Sequence, residues 1–252
     1  MKRVLTALAL IPPVVYVVLL APQWLFLAVV VIAAFLSYNE FAAIAGLSGL
    51  SSWLGYAAGF AFLFWTADAG ILLILVALVA MTLAMRAADL ADALPGAANL
   101  LLGVVYIFGC WKCAILVHDR SPHWLMFALV VNWCGDIGAY YVGRNFGRHR
   151  LAPRVSPGKT WAGTAGSLLA ALLLGGWYLY RFVPGLSPAV IAALTLASNA
   201  AGQMGDLAES ALKRGAGIKD SGTLLPGHGG FLDRVDSTLF ALPVVYAALR
   251  FL

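Results

Sequence analysis

The stretch AGILLILVALVAMTLAMR, Ala69 to Arg86, carries no charged side chain until its last residue. Its length is close to the roughly 20 apolar residues that an α-helix needs to cross a bilayer. Similar apolar runs recur along the whole chain, in which 62% of the residues are hydrophobic and only 11% are charged. The mean hydropathy of +0.91 lies far outside the range of soluble globular proteins. The sequence therefore predicts a single all-α polytopic membrane domain over residues 1–252.

Apolar runs of near-spanning length predict about nine transmembrane helices. The first is the amino-terminal segment MKRVLTALALIPPVVYVVLL, which has no small-residue cleavage site after its apolar run. The other spans are predicted at 23–39, 53–67, 69–86, 98–117, 124–143, 162–181, 187–205 and 234–252. The two short runs between residues 53 and 86 allow an alternative, in which one span is followed by a re-entrant piece. Residues 1–120 are then expected to be mainly a membrane scaffold, and residues 121–252 to carry the polar loops 144–161 and 206–234.

Basic residues are biased to one side of this nine-span arrangement. Twelve of the 16 Lys and Arg residues fall on the side of the amino terminus, three fall on the other side, and Lys112 lies within a span. Because basic residues are retained in the cytoplasm, we expect the amino terminus and the loops 144–161 and 206–234 to be cytoplasmic. The carboxyl terminus is expected outside.

The polar residues of this apolar chain concentrate in SALKRGAGIKDSGTLLPGHGGFLDRVD, Ser210 to Asp236. At the start of this region, residues at i, i+3, i+4 and i+7 form one stripe of a predicted helix that ends near Gly215: Asp206, Glu209, Ser210 and Lys213. Asp233 and Asp236 share a helical face at the start of the last span. Clustered carboxylates repel one another and need cations. They either form structural salt bridges with the nearby Lys and Arg, or hold Mg²⁺ through Asp206 and Asp233, and the hard oxygen ligands favour Mg²⁺.

A second polar loop, DIGAYYVGRNFGRHRLAPRVSPGKTWAG, runs from Asp136 to Gly163 and brings a carboxylate, several Arg and Lys159 together. Its arginines also suit anionic lipid headgroups. The piece SPGKT lacks the full G-x-x-x-x-G-K-[ST] spacing, which argues against a P-loop NTPase. The glycine before Lys159 nevertheless favours a backbone turn that contacts an anion.

Both polar segments resemble a known family. The segment Ser210 to Asp236 matches S-x-x-K-R-x-x-x-x-K-D-x-G followed by P-G-H-G-G-x-x-D-R-x-D. It resembles the signature of the phosphatidate cytidylyltransferases, or CDP-diacylglycerol synthases. The second is similar to the family region S-P-K-K-T-x-E-G, although Gly158 and Ala162 stand where that region has Lys and Glu. The resemblance covers roughly Asp136 to Ser237, while the first half of the chain resembles the family only in hydropathy.

The resemblance implies that CMP is transferred from CTP to phosphatidic acid in phospholipid biosynthesis, giving CDP-diacylglycerol and pyrophosphate. It implies a multi-pass protein of a bacterial-type inner membrane, with Mg²⁺ as cofactor and a site that faces the cytoplasm. The partners are CTP, phosphatidic acid and the bilayer; nucleic acid is not expected, and a second cation and a homodimer are left open.

The site residues expected on this basis fall into three sets. The metal ligands are Asp136, Asp206 and Asp233. The catalytic residues are Lys213, Arg214, Asp220, His228, Arg234 and Asp236. The substrate-binding residues are Ser156, Lys159, Thr160, Ser210, Lys219, Gly229 and Gly230. We expect the CTP phosphates near Lys213, Lys219 and the GHGG backbone, and the lipid phosphate near Arg234 and Lys159.

Two other functions are compatible with parts of this pattern. A CTP-dependent polyprenol or lipid kinase, or a transferase that uses another lipid phosphate, would share the need for metal and nucleotide. A lipid alcohol would need a general base such as His228 or Asp220, whereas a phosphate monoester, with a second pKa near 6, is already ionised and needs none. A cation transporter could use intramembrane carboxylates but has no use for the glycine-rich basic loop.

Overall fold

The structure is a computed structural model that describes residues 2–224 and 229–252, with side chains described from residue 11 onward. It is built almost entirely of helices. In chain order they are α1 (Lys2–Leu19), α2 (Gln23–Ile44), α3 (Gly49–Phe64), α4 (Ala69–Ala84), α5 (Ala93–Gly103), α6 (Cys110–Arg120), α7 (Pro122–Phe146), α8 (Trp161–Ala170), α9 (Gly176–Phe182), α10 (Pro188–Gly215) and α11 (Leu232–Ala248).

Two π-helical turns join neighbouring helices into longer ones. The turn Val104–Gly109 connects α5 to α6, and a short 3₁₀ turn precedes α5, so that Leu90–Arg120 is one continuous helix. The turn Ala171–Gly175 connects α8 to α9 within Trp161–Phe182. Within the described residues, each predicted span overlaps one continuous helical segment, although the spans 53–67, 69–86 and 234–252 extend past the end of theirs.

Four of these segments are long and apolar enough to cross a membrane: Gln23–Ile44, Leu90–Arg120, Pro122–Phe146 and Trp161–Phe182. The helices α3 and α4 are also apolar but have only 16 residues each. They are two separate helices, and whether each crosses the membrane stays a prediction. The chain is thus an α-helical membrane protein, in agreement with the predicted class.

A small β-hairpin interrupts the helices in the predicted loop 144–161. Strand β1 (Arg150–Ala152) pairs antiparallel with β2 (Ser156–Thr160), with Arg150 opposite Thr160 and Ala152 opposite Ser156. The expectation of purely helical secondary structure missed this hairpin, because strands of three and five residues carry almost no periodic signal.

Helix α2 lies at the centre of the first half of the chain. Its side chains Phe26, Tyr38 and Phe41 are among the most deeply buried of the described residues. It contacts α1, α3, α5 and α6, and it also contacts α11 from the far end of the sequence. Helix α2 therefore also contacts α11, the helix that carries Asp233 and Asp236.

Glycines let the helices of residues 121–252 approach one another closely. A Cβ atom on Gly138 of α7 would lie 2.5 Å from the carbonyl oxygen of Gly166 on α8, and one on Gly205 of α10 would lie 2.6 Å from the carbonyl oxygen of Asp236 on α11. Such contacts between small residues and backbone are the usual means of helix packing in lipid. They bring the polar ends of α7, α10 and α11 together.

A buried polar contact adds to this packing. The side-chain oxygen of Asn199 on α10 accepts hydrogen bonds from Ser167 Oγ of α8 at 3.1 Å and from Gln203 Nε2 at 2.8 Å. Its amide nitrogen donates to the carbonyl oxygen of Val131 on α7 at 3.4 Å. Because polar groups buried in lipid must be paired, this contact fixes the relative positions of three helices next to the candidate site.

Candidate functional site

Lys213 lies between two carboxylates on different helices. Its Nζ atom is 2.5 Å from Glu209 Oε2, one turn earlier on α10, and it donates to Asp233 Oδ1 in the first turn of α11. Burial alone would lower the pKa of Lys213, but the hydrogen bonds and charges of Asp233 and Glu209 outweigh burial and raise it. The amine is therefore protonated and ties the end of α10 to the start of α11.

Asp233 is fully engaged within the protein. One carboxylate oxygen binds Lys213, and the other accepts hydrogen bonds from the backbone N–H of Ser221 at 3.0 Å and of Gly230 at 2.8 Å. Burial acts to raise the pKa of Asp233, but the hydrogen bonds from Lys213, Gly230 and Ser221 outweigh it and lower the pKa. The carboxylate is ionised and ties Ser221 and Gly230 to the start of α11.

Glu209 is the more deeply buried of the two carboxylates that face Lys213. Its side chain is inaccessible to solvent, and among the described residues Oε1 has no hydrogen-bond partner. Burial raises the pKa of Glu209 to about 7, although Lys213 acts in the opposite direction. The predicted stripe on one helix is present, because Asp206, Glu209, Ser210 and Lys213 all lie on α10.

Glu40 of α2 reaches the same loop from the first half of the chain. Its carboxylate accepts hydrogen bonds from Ser221 Oγ at 2.6 Å, from the backbone N–H of Phe231 at 2.8 Å and from that of Leu232 at 2.8 Å. Ser221 Oγ in turn accepts a hydrogen bond from the backbone N–H of Asp233 at 3.3 Å. Glu40 thus contacts the start of α11 directly.

The glycines of this loop leave room for the two acidic side chains. A Cβ atom on Gly222 would lie 2.5 Å from Glu40 Oε1, and one on Gly230 would lie 2.3 Å from Glu40 Oε2. A Cβ atom on Gly229, whose φ is +79°, would lie 2.6 Å from Asp233 Oδ2. The backbone N–H of Gly230 donates to Asp233, and its contact with a CTP phosphate stays a prediction.

A second cluster surrounds Asp206, one turn before Glu209 on α10. Asp206 Oδ2 is 2.8 Å from Lys159 Nζ, and Oδ1 accepts a hydrogen bond from Ser210 Oγ at 3.4 Å. Asp136 of α7 and Asp236 of α11 lie near enough for their charges to interact with Asp206. The charges of three carboxylates from three helices thus interact here; Lys159 forms an ion pair with Asp206, and Arg234 is close enough to act on Asp136.

The β-hairpin places Lys159 at this cluster. Lys159 lies in β2, where alternate side chains point to opposite faces, and its Nζ atom also donates to the carbonyl oxygen of Gln203 at 3.4 Å. Gly158 lies in the same strand and not in a turn, so the predicted anion-binding turn before Lys159 is wrong. The turn of the hairpin falls earlier, between β1 and β2.

The remaining predicted site residues divide by exposure. Thr160 is buried, and its Oγ1 accepts a hydrogen bond from the N–H of Gly163 at 3.1 Å, which caps α8. Ser156 begins β2 and is partly exposed. Four other residues are exposed: Arg214, Lys219, Asp220 and Arg234. His228 lies outside the described residues.

The donor set fits Mg²⁺ that arrives with a nucleotide. In the described part of the chain, no group of three or more His, Cys, Asp or Glu side chains stands close enough to hold a metal ion by itself. Mg²⁺ characteristically takes one or two protein carboxylates and completes its octahedral shell with phosphate oxygens and water. Asp206, whose charge interacts with those of Asp136 and Asp236, is suited to that role together with one of them. Asp233 would have to release Lys213 to join them.

Comparison with known proteins agrees with this geometry. A sequence model described as "Cytidylyltransferase family" matches residues 1–252. The chain belongs to the cytidylyltransferase family. Curated relatives named phosphatidate cytidylyltransferase include those of Bacillus subtilis (strain 168), 42% identical over 155 residues, and Staphylococcus haemolyticus (strain JCSC1435), 39% identical over 149 residues. The aligned parts cover 60% and 59% of this chain, but only 57% of each relative's length.

Sequence reasoning for this cytidylyltransferase family member missed Glu40 and Ser221 as parts of the site. Glu40 follows the predicted span 23–39 in the piece SYNEF, where an acidic residue at the end of an apolar run was the available signal. Ser221 lies between Asp220 and Gly222 and carried no signal apart from its place in the motif. Glu209 was recognised as part of the stripe, but no role was given to it.

Proposed function

We propose that this protein is a phosphatidate cytidylyltransferase, which transfers CMP from CTP to phosphatidic acid and releases pyrophosphate. The observation that carries the proposal is that Asp136, Asp206 and Asp236, carried by α7, α10 and α11, interact through their charges beside the Lys159–Asp206 ion pair and the Glu209–Lys213–Asp233 cluster. The names of the curated relatives support the same activity.

The reaction is a displacement at phosphorus. A phosphate oxygen of phosphatidic acid forms a bond to the α-phosphorus of CTP, the bond from that phosphorus to the α,β-bridging oxygen breaks, and pyrophosphate leaves with the bonding electrons. A phosphate monoester is largely dianionic at neutral pH, because its second pKa is about 6. The nucleophile is therefore ready without a general base, and the main barrier is repulsion between two polyanions.

The charged residues of the site act on that repulsion. Asp206 and Asp136, with Asp236 beside them, would hold Mg²⁺, and the ion would neutralise charge on phosphate oxygens. Lys159 and Arg234 would face the lipid phosphate, while Lys213 and Lys219 would face the nucleotide phosphates. Lys159 and Lys213 are both paired with carboxylates, so they stand ready to exchange a carboxylate for a phosphate oxygen.

The membrane location suits a lipid substrate. The acyl chains would stay in the bilayer while the headgroup reaches the polar ends of α7, α10 and α11, which avoids an extraction cost of about 0.8 kcal/mol per CH₂. We place the chain in the inner membrane with nine spans and with the site facing the cytoplasm. The bias of Lys and Arg toward the loops 144–161 and 206–234 supports this orientation.

The decisive experiment is an assay of the purified protein in mixed micelles with CTP, phosphatidic acid and Mg²⁺. We expect pyrophosphate release that depends on phosphatidic acid and yields CDP-diacylglycerol. Release of CDP with a lipid alcohol as acceptor would instead identify a kinase, and ion flux in proteoliposomes without CTP would identify a transporter. The homodimer and the second cation stay predictions, which light scattering of the solubilised protein and titration with monovalent salts would test.

A further inference from the structure

Glu40 is a buried acidic residue in the half of the chain that otherwise forms an apolar scaffold. It is 7% exposed, and it lies on α2 among buried neighbours such as Tyr38 and Phe41. Burying an ionised carboxylate is costly unless hydrogen-bond donors surround it. Among the described residues Glu40 has three donors, which belong to Ser221, Phe231 and Leu232.

Two of these donors are backbone N–H groups at the start of α11. The first N–H groups of a helix have no acceptor within the helix. Phe231 occupies the N-cap position of α11, and its side chain accepts no hydrogen bond from the first turn of the helix. Glu40 supplies the missing acceptors for Phe231 and Leu232 from another helix, and its negative charge also interacts favourably with the helix dipole.

The third donor connects Glu40 to the candidate site. Ser221 Oγ donates to Glu40 and accepts from the backbone N–H of Asp233, while the backbone N–H of Ser221 donates to the Asp233 carboxylate. Asp233 then binds Lys213. An unbroken series of hydrogen bonds therefore leads from α2 to the amine between α10 and α11.

The glycines next to these donors are independent evidence for the same contact. Gly222 and Gly230 both lie so close to the Glu40 carboxylate that a Cβ atom at either position would collide with it. By contrast, Gly215 and Gly217, at the end of α10, have open space around the corresponding position. Two of the glycines thus leave the space that the Glu40 carboxylate occupies.

We propose that Glu40 is a positioning residue of the active site: by capping α11 it fixes Asp233, and through Asp233 it aims Lys213. Glu40 touches no reacting atom in this scheme. Only the kinetic consequence rests on the proposed cytidylyl transfer, whereas the capping itself can be measured without any activity.

The test compares three single variants of the full-length protein in detergent micelles. Glu40→Gln keeps the size of the side chain, but it loses the charge and turns an amide NH₂ toward a backbone N–H. Ser221→Ala removes the link to Asp233 and leaves the Glu40 carboxylate in place. Asp89→Asn is the matched control, because Asp89 is an exposed acid that accepts one backbone N–H, from Ala91 at 2.9 Å, far from the site in sequence.

The first measurement is amide hydrogen exchange of a peptide that covers residues 229–236. We expect exchange at least about tenfold faster in Glu40→Gln, since two capped N–H groups lose an ionised acceptor. Ser221→Ala should give a smaller increase, and Asp89→Asn none. Unchanged exchange in both site variants would overturn the capping, whatever reaction the protein catalyses.

The second measurement determines kcat and KM for CTP separately, with rates normalised to the amount of folded protein. Positioning predicts that kcat falls about tenfold or more in Glu40→Gln while KM for CTP changes by less than about threefold. A purely structural role predicts less folded protein with a normal kcat, and that result would overturn the proposal. If Glu40→Gln does not fold, the kcat of Ser221→Ala is the test of positioning instead. A wild-type kcat in Ser221→Ala would then overturn the proposal. Absence of lipid-dependent pyrophosphate release from the wild type would instead refute the proposed function.

Discussion

Lys213 shows how single residues of this site have two partners at once. It binds Glu209 on its own helix and Asp233 on α11, and its side chain is only 11% exposed. Removing one member of a buried ion cluster leaves the others uncompensated, which costs far more than a surface salt bridge contributes. The stability of this end of the bundle should therefore depend on the balance of charges in the cluster.

We predict that Lys213→Met lowers the free energy of unfolding by about 3–5 kcal/mol, because Glu209 and Asp233 lose their shared cation. Adding Glu209→Leu should restore part of this loss, so the two effects are not additive. Thermal unfolding in detergent measures both. The exposed Lys219→Met is the control, with a change within about 0.5 kcal/mol. Equal destabilisation in the single and the double variant would contradict this account.

A second prediction concerns Asp206. Asp206→Asn keeps the size of the side chain but removes the charge that pairs with Lys159 and that would bind Mg²⁺. We expect cytidylyl transfer to fall about 100-fold or more, with an unchanged elution profile in size-exclusion chromatography. The exposed Asp68→Asn should keep its activity. Full activity of Asp206→Asn at saturating Mg²⁺ would refute the metal assignment.

At the scale of elements, the approximate positions of the helices and the polar stripe on α10 could be predicted from the sequence, whereas boundaries such as that of Leu90–Arg120, predicted as 98–117, could not. Apolar runs and the glycines after Lys213 carry strong local signals. The hairpin β1–β2 could not be predicted, since Lys159 faces Asp206 and Thr160 caps α8 only in the assembled bundle. Contacts with distant segments stabilise it, and local propensity is weak there.

Close packing of α7 against α8 leads to a prediction about these two helices. Gly138→Ala should destabilise the protein by about 1–3 kcal/mol, because the added Cβ would collide with the carbonyl oxygen of Gly166 and with Ala170. Gly96→Ala is a matched helical control with open space around it, and it should stabilise the protein by up to about 1 kcal/mol. Thermal unfolding of the two variants gives the comparison, and a destabilised Gly96→Ala or a neutral Gly138→Ala would contradict the packing.

For the whole molecule, the nine-span topology makes a prediction with two reporters. A tag inserted between Arg144 and Arg154 should be cytoplasmic, and a tag after Leu252 should lie on the opposite side of the membrane. Accessibility to a membrane-impermeant reagent in intact and permeabilised cells distinguishes the sides. The same side for both tags would show that the number of spans after residue 154 is wrong.

The contribution of Glu40 to the site, which the sequence did not predict, depends on contacts between distant parts of the molecule. The signature from Ser210 to Asp236 predicts the candidate residues, of which Ser210, Lys213 and Arg214 lie on α10 and Asp233, Arg234 and Asp236 lie on α11. It gave no indication of Glu40, whose partners follow it by more than 180 residues, because hydropathy and motif spacing report only local order. The apolar half of the chain is therefore more than a scaffold.

The long separation between Glu40 and its partners also affects biogenesis. Phe231 follows Glu40 by 191 residues, so a ribosome that adds 5–20 residues per second needs roughly 10–40 s to synthesise the partner of this carboxylate. Throughout that interval the nascent chain holds an acidic side chain whose native donors do not yet exist. Insertion of α11 supplies these donors, and so completes the hydrogen bonds of α2 as well as those of α11. A chain truncated before Phe231 would keep this carboxylate without its native backbone donors.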